Sequence, residues 1–253
     1  MELSRAILLL ILAAIVIGIA GTRLAREADR LADITGLGEA LFGAIFLGGI
    51  TSLPGIITSI IAASSGHPEL AVTNAIGGIA AQTFFLSIAD ISYAKVNLEH
   101  AAASFANLMQ GVLLLALLAF ILVGMSGPDT TVLSVHPASY LLIILYLFGN
   151  RLINKAKTSP MWVPKMTRQT VNDIPDQENL KSAHPGRIYL RFTILAVLVT
   201  IAGYTVARSG IAIANQTELS EGFVGMAFTA IATSLPELIV SISAVRQKAL
   251  TLA

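Results

Sequence analysis

Thr51-Ser52-Leu53-Pro54-Gly55-Ile56-Ile57-Thr58-Ser59-Ile60 and, 182 residues later, Thr233-Ser234-Leu235-Pro236-Glu237-Leu238-Ile239-Val240-Ser241-Ile242 decide the fold. Seven of the ten aligned positions are identical. The same offset pairs Leu37 with Leu219, Glu39 with Glu221, Gly43 with Gly225 and Phe46 with Phe228, and sets Leu70-Ala71 against Leu252-Ala253. An ungapped match of this length is a duplication. Both copies lie in apolar surroundings, where a proline removes one helical hydrogen bond and pushes away a carbonyl of the preceding turn. In lipid such freed groups need partners, and nearby Ser and Thr hydroxyls can supply them.

The rest of the chain says that the surroundings are a bilayer. Apolar residues make up 55% and charged residues 12%, with a mean hydropathy of +0.78, against roughly 25% charge in soluble domains. Runs of about 20 apolar residues match the hydrocarbon thickness. The expected fold is all-α and polytopic, with about seven transmembrane helices near 5–22, 38–63, 70–91, 102–125, 136–154, 188–208 and 222–245. The first run is read as a true span, because Glu2 offsets Arg5 and leaves no basic leader. Spans 2 and 3 carry Gly43, Gly48, Gly49, Gly55, Gly77 and Gly78 and should pack centrally, since small residues let backbones approach in lipid. Spans 4 and 5 are plainer and should face lipid.

A polar, proline-containing segment at 155–187 reads as a loop joining two halves, 1–154 and 188–253. Placing the spans puts fourteen Lys and Arg on one side of the membrane and only Arg5 and Arg208 on the other. The positive-inside rule makes the larger set cytoplasmic, in a cell inner or plasma membrane, with the N-terminus outside and the 155–187 loop inside. A net charge of +1 carries no nucleic-acid signature, so the expected partners are the lipid bilayer and small cations. There is no cysteine, and the four histidines are scattered without ligand spacing, so no cofactor is expected. No P-loop, nucleophile elbow or metal-ligand cluster points to an enzyme.

Span 2 then runs outward and span 7 inward, so the two copies are antiparallel. Inverted repeats of this kind hold substrate and ions near the midplane in secondary transporters. The hydroxyls and carbonyls around Pro54 and Pro236 are hard oxygen ligands suited to Na⁺ or Ca²⁺. Glu237 adds an intramembrane carboxylate, a costly group that usually lines a polar cavity or ion path. Asp90 lies near a span end and reads as interfacial.

At these residues the chain resembles the cation/Ca²⁺ exchanger (sodium/calcium exchanger) superfamily. That family has two inverted α-repeats, each with a Gly-Thr-Ser-Leu-Pro-Glu helix followed by one bearing Gly-Asn-x-x-Gly-Ser-Asn. Ala232 to Glu237 match the first motif, as do Thr51 to Pro54, and Leu70 to Gly78 resemble the second helix. The first α-repeat then spans about 38–91. The resemblance implies a cation antiporter exchanging Ca²⁺ or another cation for Na⁺ or H⁺ by alternating access. It implies that Thr51, Ser52, Asn74, Gln82, Thr233, Ser234 and Glu237 supply oxygens to the ion, with Glu237 as the metal-binding acid and Pro54 and Pro236 as helix breaks. Gly55 stands where the family has its first glutamate, and Gly78 and Ile79 where it has Ser and Asn. The family has ten spans; this chain stops at Ala253, the repeat equivalent of Ala71, so missing C-terminal spans or a second subunit are expected to complete the second half. A truncated or degenerate membrane protein, or an interaction subunit that does not transport, is the alternative reading.

Overall fold

A computed structural model describes residues 1–35, 48–93, 96–128, 130–133, 135–158 and 185–247, together with Trp162, Val163, Lys165 and Thr167. The described residues form helices α1 (Leu3–Val16), α2 (Thr22–Thr35), α3 (Leu53–Ser64), α4 (Pro68–Ser92), α5 (Leu98–Ala101), α6 (Phe105–Met125), α7 (Pro137–Thr158), α8 (Pro185–Gln216), α9 (Glu221–Phe223), α10 (Ala230–Thr233) and α11 (Leu235–Gln247). π-helical turns at Ile17–Gly21 and Val224–Thr229 join α1 to α2 and α9 to α10. The chain is an all-α membrane protein, with only an isolated Val132–Val135 bridge among the described residues. Among the described residues four helices are long and apolar enough to cross a bilayer, and a fifth span follows if the bent α9–α11 segment is counted as one. Of the seven expected spans, the second is described only from Gly48, and α7 carries Arg151, Lys155 and Lys157 in its last turns. The repeat pairs at Leu37, Glu39, Gly43, Phe46, Leu252 and Ala253, and most of the 155–187 loop, lie outside the described residues.

The helices form two compact units. One holds residues 1–97 and 172–253, the other 98–171. In the second unit α6 and α7 pair antiparallel: Gly149 lies against Leu113, and Gly124 against Ala138. Leu108, Val112, Leu115, Leu122, Ile143 and Leu147 are each more than half exposed, which suits a surface wetted by lipid tails.

The first unit is built on a long hairpin. Ala6 packs with Ile211, Ala13 and Ile17 with Ala202 and Val206, and Ala20 and Leu24 with Val199. As the residue number rises along α1–α2 it falls along α8, so these helices are antiparallel. They are also repeat equivalents: Ile19-Ala20-Gly21 falls against Ile201-Ala202-Gly203 at the 182-residue offset. The two copies of the first helix therefore run in opposite directions through one core. The opposite face of each is apolar and exposed, at Leu8, Ile11, Ile15 and Ile19 and at Leu190, Ile194, Val197 and Ile201. Spacing of three to four residues with the larger side chains outward marks a lipid-facing stripe.

Both helices are longer than the expected spans 5–22 and 188–208. The first continues through Arg23, Arg26 and Arg30, and α8 runs on to Gln216. The extensions bury Leu24, Ala28 and Leu31, and Ile211 and Ile213, so packing carries each helix past its apolar run.

Small residues set the closest approaches. A Cβ on Gly21 would lie 2.5 Å from Cγ of Pro236, and one on Gly203 would lie 2.8 Å from the Pro54 carbonyl oxygen. The repeat offset converts one contact into the other, so each copy's first helix presses its glycine on the other copy's proline. Thr58, fully buried, donates to the Gly203 carbonyl at 3.0 Å and fixes α3 on α8.

Candidate functional site

Each Thr-Ser-Leu-Pro copy breaks its helix at the serine. Ser52 has φ −81° and ψ 0°, and Ser234 has φ −96° and ψ 6°. The Ser52 amide donates to the Gly48 carbonyl at 3.0 Å, and the Ser234 amide donates to that of Ala230 at 3.0 Å. Thr51 Oγ1 donates to Gly48 at 3.0 Å and Thr233 Oγ1 to Ala230 at 3.1 Å. Pro54 and Pro236 have no N–H to give the carbonyls four residues earlier, those of Ile50 and Ala232. The second copy bends by 45° between Glu221–Thr233 and Leu235–Ile242.

The two breaks meet at a cavity of about 400 Å³. Its polar lining is Ser52, Ser59, Asn74, Gln82, Thr233, Ser234 and Glu237; Ile56, Ile60, Ala75 and Ile79 close the rest. Six of the seven residues assigned from the sequence thus come to one place. Thr51 is not among the lining residues; its hydroxyl bonds the Gly48 carbonyl as that of Thr233 bonds the Ala230 carbonyl. Glu237 sits in the first turn of α11, where the positive end of the helix dipole favours an anion. Its Oε2 is buried and has no hydrogen-bond partner among the described residues. A buried carboxylate oxygen left unpartnered is unfavourable unless something else balances it.

Gly55 occupies the equivalent place in the first copy. A Cβ there would lie 3.7 Å from Thr233 Oγ1 and 3.9 Å from Asn74 Nδ2, ordinary contacts that leave room for a side chain. The cavity wall therefore carries an acid from one copy and bare backbone from the other. No group of three or more Asp, Glu, His or Cys clusters among the described residues.

Asn74, 2% exposed, ties the wall together. Its Nδ2 donates to the Gly55 carbonyl at 3.2 Å and to Ser59 Oγ at 3.0 Å, while its Oδ1 accepts from Thr229 Oγ1 at 2.7 Å. Ser59 in turn donates to the Ala71 carbonyl at 3.0 Å. One amide thus joins α3, α4 and the second π-turn. Sequence reading missed Ser59 and Thr229. Ser59 is one of the identical repeat positions, opposite Ser241, and could have been found. Thr229 falls opposite Leu47 and carries no such signal. Asn74→Ala should lower stability by about 1–3 kcal/mol, because it removes the three hydrogen bonds by which one buried amide ties α3 and the second π-turn to α4. Thermal unfolding in detergent measures this, and an unchanged midpoint would remove Asn74 from the framework.

The family model described as sodium/calcium exchanger protein matches residues 5–149 and 188–253. No curated protein and no solved structure matches the chain.

Proposed function

The chain belongs to the sodium/calcium exchanger family, and on that premise we propose that it is a secondary-active cation antiporter. It moves Ca²⁺ or another cation against Na⁺ or H⁺ through the cavity between the two helix breaks. The observation that carries this reading is Glu237, whose carboxylate oxygen Oε2, unpartnered among the described residues, belongs to a cavity whose polar side chains come from both antiparallel copies. Hydroxyl, amide and backbone oxygens replace water around the ion, and the carboxylate offsets its charge. Ser52, Asn74, Gln82, Thr233 and Ser234 are the neutral ligands in this reading, and Thr51 holds the first break in shape. Alternating access follows from the α1–α2 and α8 hairpin moving against the core, pivoting where Gly21 meets Pro236 and Gly203 meets Pro54.

The orientation has the N-terminus outside and the 155–187 loop in the cytoplasm. The distribution of Lys and Arg supports it, with fourteen on the side of the 155–187 loop and only Arg5 and Arg208 on the other.

Proteoliposomes containing the protein should take up cation when a Na⁺ or H⁺ gradient is imposed, and lose that uptake when the gradient is collapsed. Gradient-independent or absent uptake would defeat the antiporter reading. Gly55→Glu supplies the absent second acid where a Cβ already fits. It should raise the preference for divalent over monovalent cations in the same assay, because a dehydrated divalent ion favours additional carboxylate ligands.

A further inference from the structure

A second cavity, of about 390 Å³, lies where the two long helices leave their apolar stretches. It is lined by Arg23, Arg26, Glu27 and Arg30 of α2 and by Arg191, Ile194 and Leu195 of α8. Four arginines and one glutamate thus line it. Glu27 is 7% exposed, and its Oε1 lies 3.2 Å from Arg30 and 3.9 Å from Arg191. It is the anchor that draws arginines of both helices to one place. Among the described residues, Arg23 and Arg26 have no carboxylate partner. A cluster of like charges is unfavourable unless water or an anion offsets it, and arginine's planar fork suits phosphate oxygens.

We infer that this cavity binds the phosphate headgroup of an anionic phospholipid. Its position favours a lipid over a soluble phosphate. Arg23 lies two residues past the buried π-turn that ends the apolar run of α1, and Arg191 lies at the beginning of the apolar run of α8. The arginines therefore stand at the level where an apolar helix surface gives way to a polar one, which is headgroup depth. Ile194, 51% exposed, continues the cavity edge onto the lipid-facing stripe of α8, where an acyl chain can lie. Basic pockets between membrane helices are suited to anionic headgroups. The site is separate from the cation cavity and shares no lining residue with it. Because it clamps both helices of the hairpin, an occupied site would also stabilise their pairing.

The test is native mass spectrometry of the purified full chain in detergent with dioleoyl phosphatidylglycerol or dioleoyl phosphatidylcholine, alongside thermal unfolding. Phosphatidylglycerol should be retained preferentially and should raise the unfolding midpoint. Arg23→Gln with Arg26→Gln should weaken its retention roughly 30-fold, two surface-level arginines being removed. Arg151→Gln with Lys165→Gln, which removes the same charge elsewhere, should leave it unchanged. Equal retention of both lipids by the wild type would overturn the proposal, and this arm does not depend on any variant folding. Equal losses in the two double variants would also overturn it, by showing only diffuse charge attraction. Inorganic phosphate at matched ionic strength should not reproduce the stabilisation; if it does, the ligand is a soluble phosphate and the lipid assignment fails.

Discussion

Glu237→Gln should lower gradient-driven cation flux by at least about a hundredfold, because removing one partner of a buried charge pair costs roughly 3 kcal/mol or more. The substitution keeps the side chain's size and one oxygen but removes the charge that offsets the bound cation. It should not destabilise the empty protein. Oε2 of Glu237 is buried and unpartnered among the described residues, so a neutral amide relieves a desolvated charge. The unfolding midpoint without ions should therefore hold or rise while transport is lost. A variant that loses transport and stability together would indicate a structural acid. One that transports normally would show that the ion passes elsewhere.

The second large effect is expected at the two glycines of the long hairpin. Gly203→Ala brings a methyl to 2.8 Å from the Pro54 carbonyl oxygen and 3.3 Å from Ile57 Cβ. Gly21→Ala brings one to 2.5 Å from Pro236 Cγ and 3.1 Å from its Cβ. Neither neighbour is the free end of a flexible side chain; one is backbone and the other a closed ring. The helices must separate, at about 1–3 kcal/mol for overpacking. At this chain length that corresponds to a few degrees in the midpoint, about 2–4 °C per kcal/mol. Helices in lipid associate by close van der Waals packing rather than by expelling water, so the lost contact is not regained by burying apolar surface elsewhere. Because the two contacts are repeat equivalents, the variants should lose similar stability, measured by thermal unfolding in detergent. A large loss at one glycine with none at the other would contradict the reciprocal packing.

These expectations show which parts of the fold could be read in advance. The membrane class follows from composition, and the break from Pro54 and Pro236 flanked by hydroxyls. Their duplication drew attention to the residues that the structure gathers around one cavity. Glu237 was legible because an acid in an apolar helix has few other uses.

The contacts across the repeats were not legible. Gly21 and Gly203 are identical at the same offset, but a glycine's partner depends on how two helices cross, which no periodicity encodes. The π-turn that sets Thr229 facing Asn74 adds an extra residue to a helical turn, and its apolar sequence Val-Gly-Met-Ala-Phe-Thr does not announce it. Thr51 shows a different limit. Its hydroxyl bonds a carbonyl one turn back just as that of Thr233 does, yet Thr233 lines the cavity and Thr51 does not, a difference in setting that residue type does not encode. The helices outrun the expected spans for a related reason: the extensions of α2 and α8 are held by Leu24, Ile211 and Ile213 packing inward, which a count of apolar residues does not register.

The central claim is that the two antiparallel breaks make one cation site whose charge is Glu237. Isothermal titration of the purified full chain with Na⁺ and with Ca²⁺, beside the Glu237→Gln variant, tests it most directly. The account predicts saturable binding of at least one of these ions to the wild type and its loss in the folded variant. Saturable binding that persists unchanged in Glu237→Gln, or no saturable binding of either ion by the folded wild type, would contradict it.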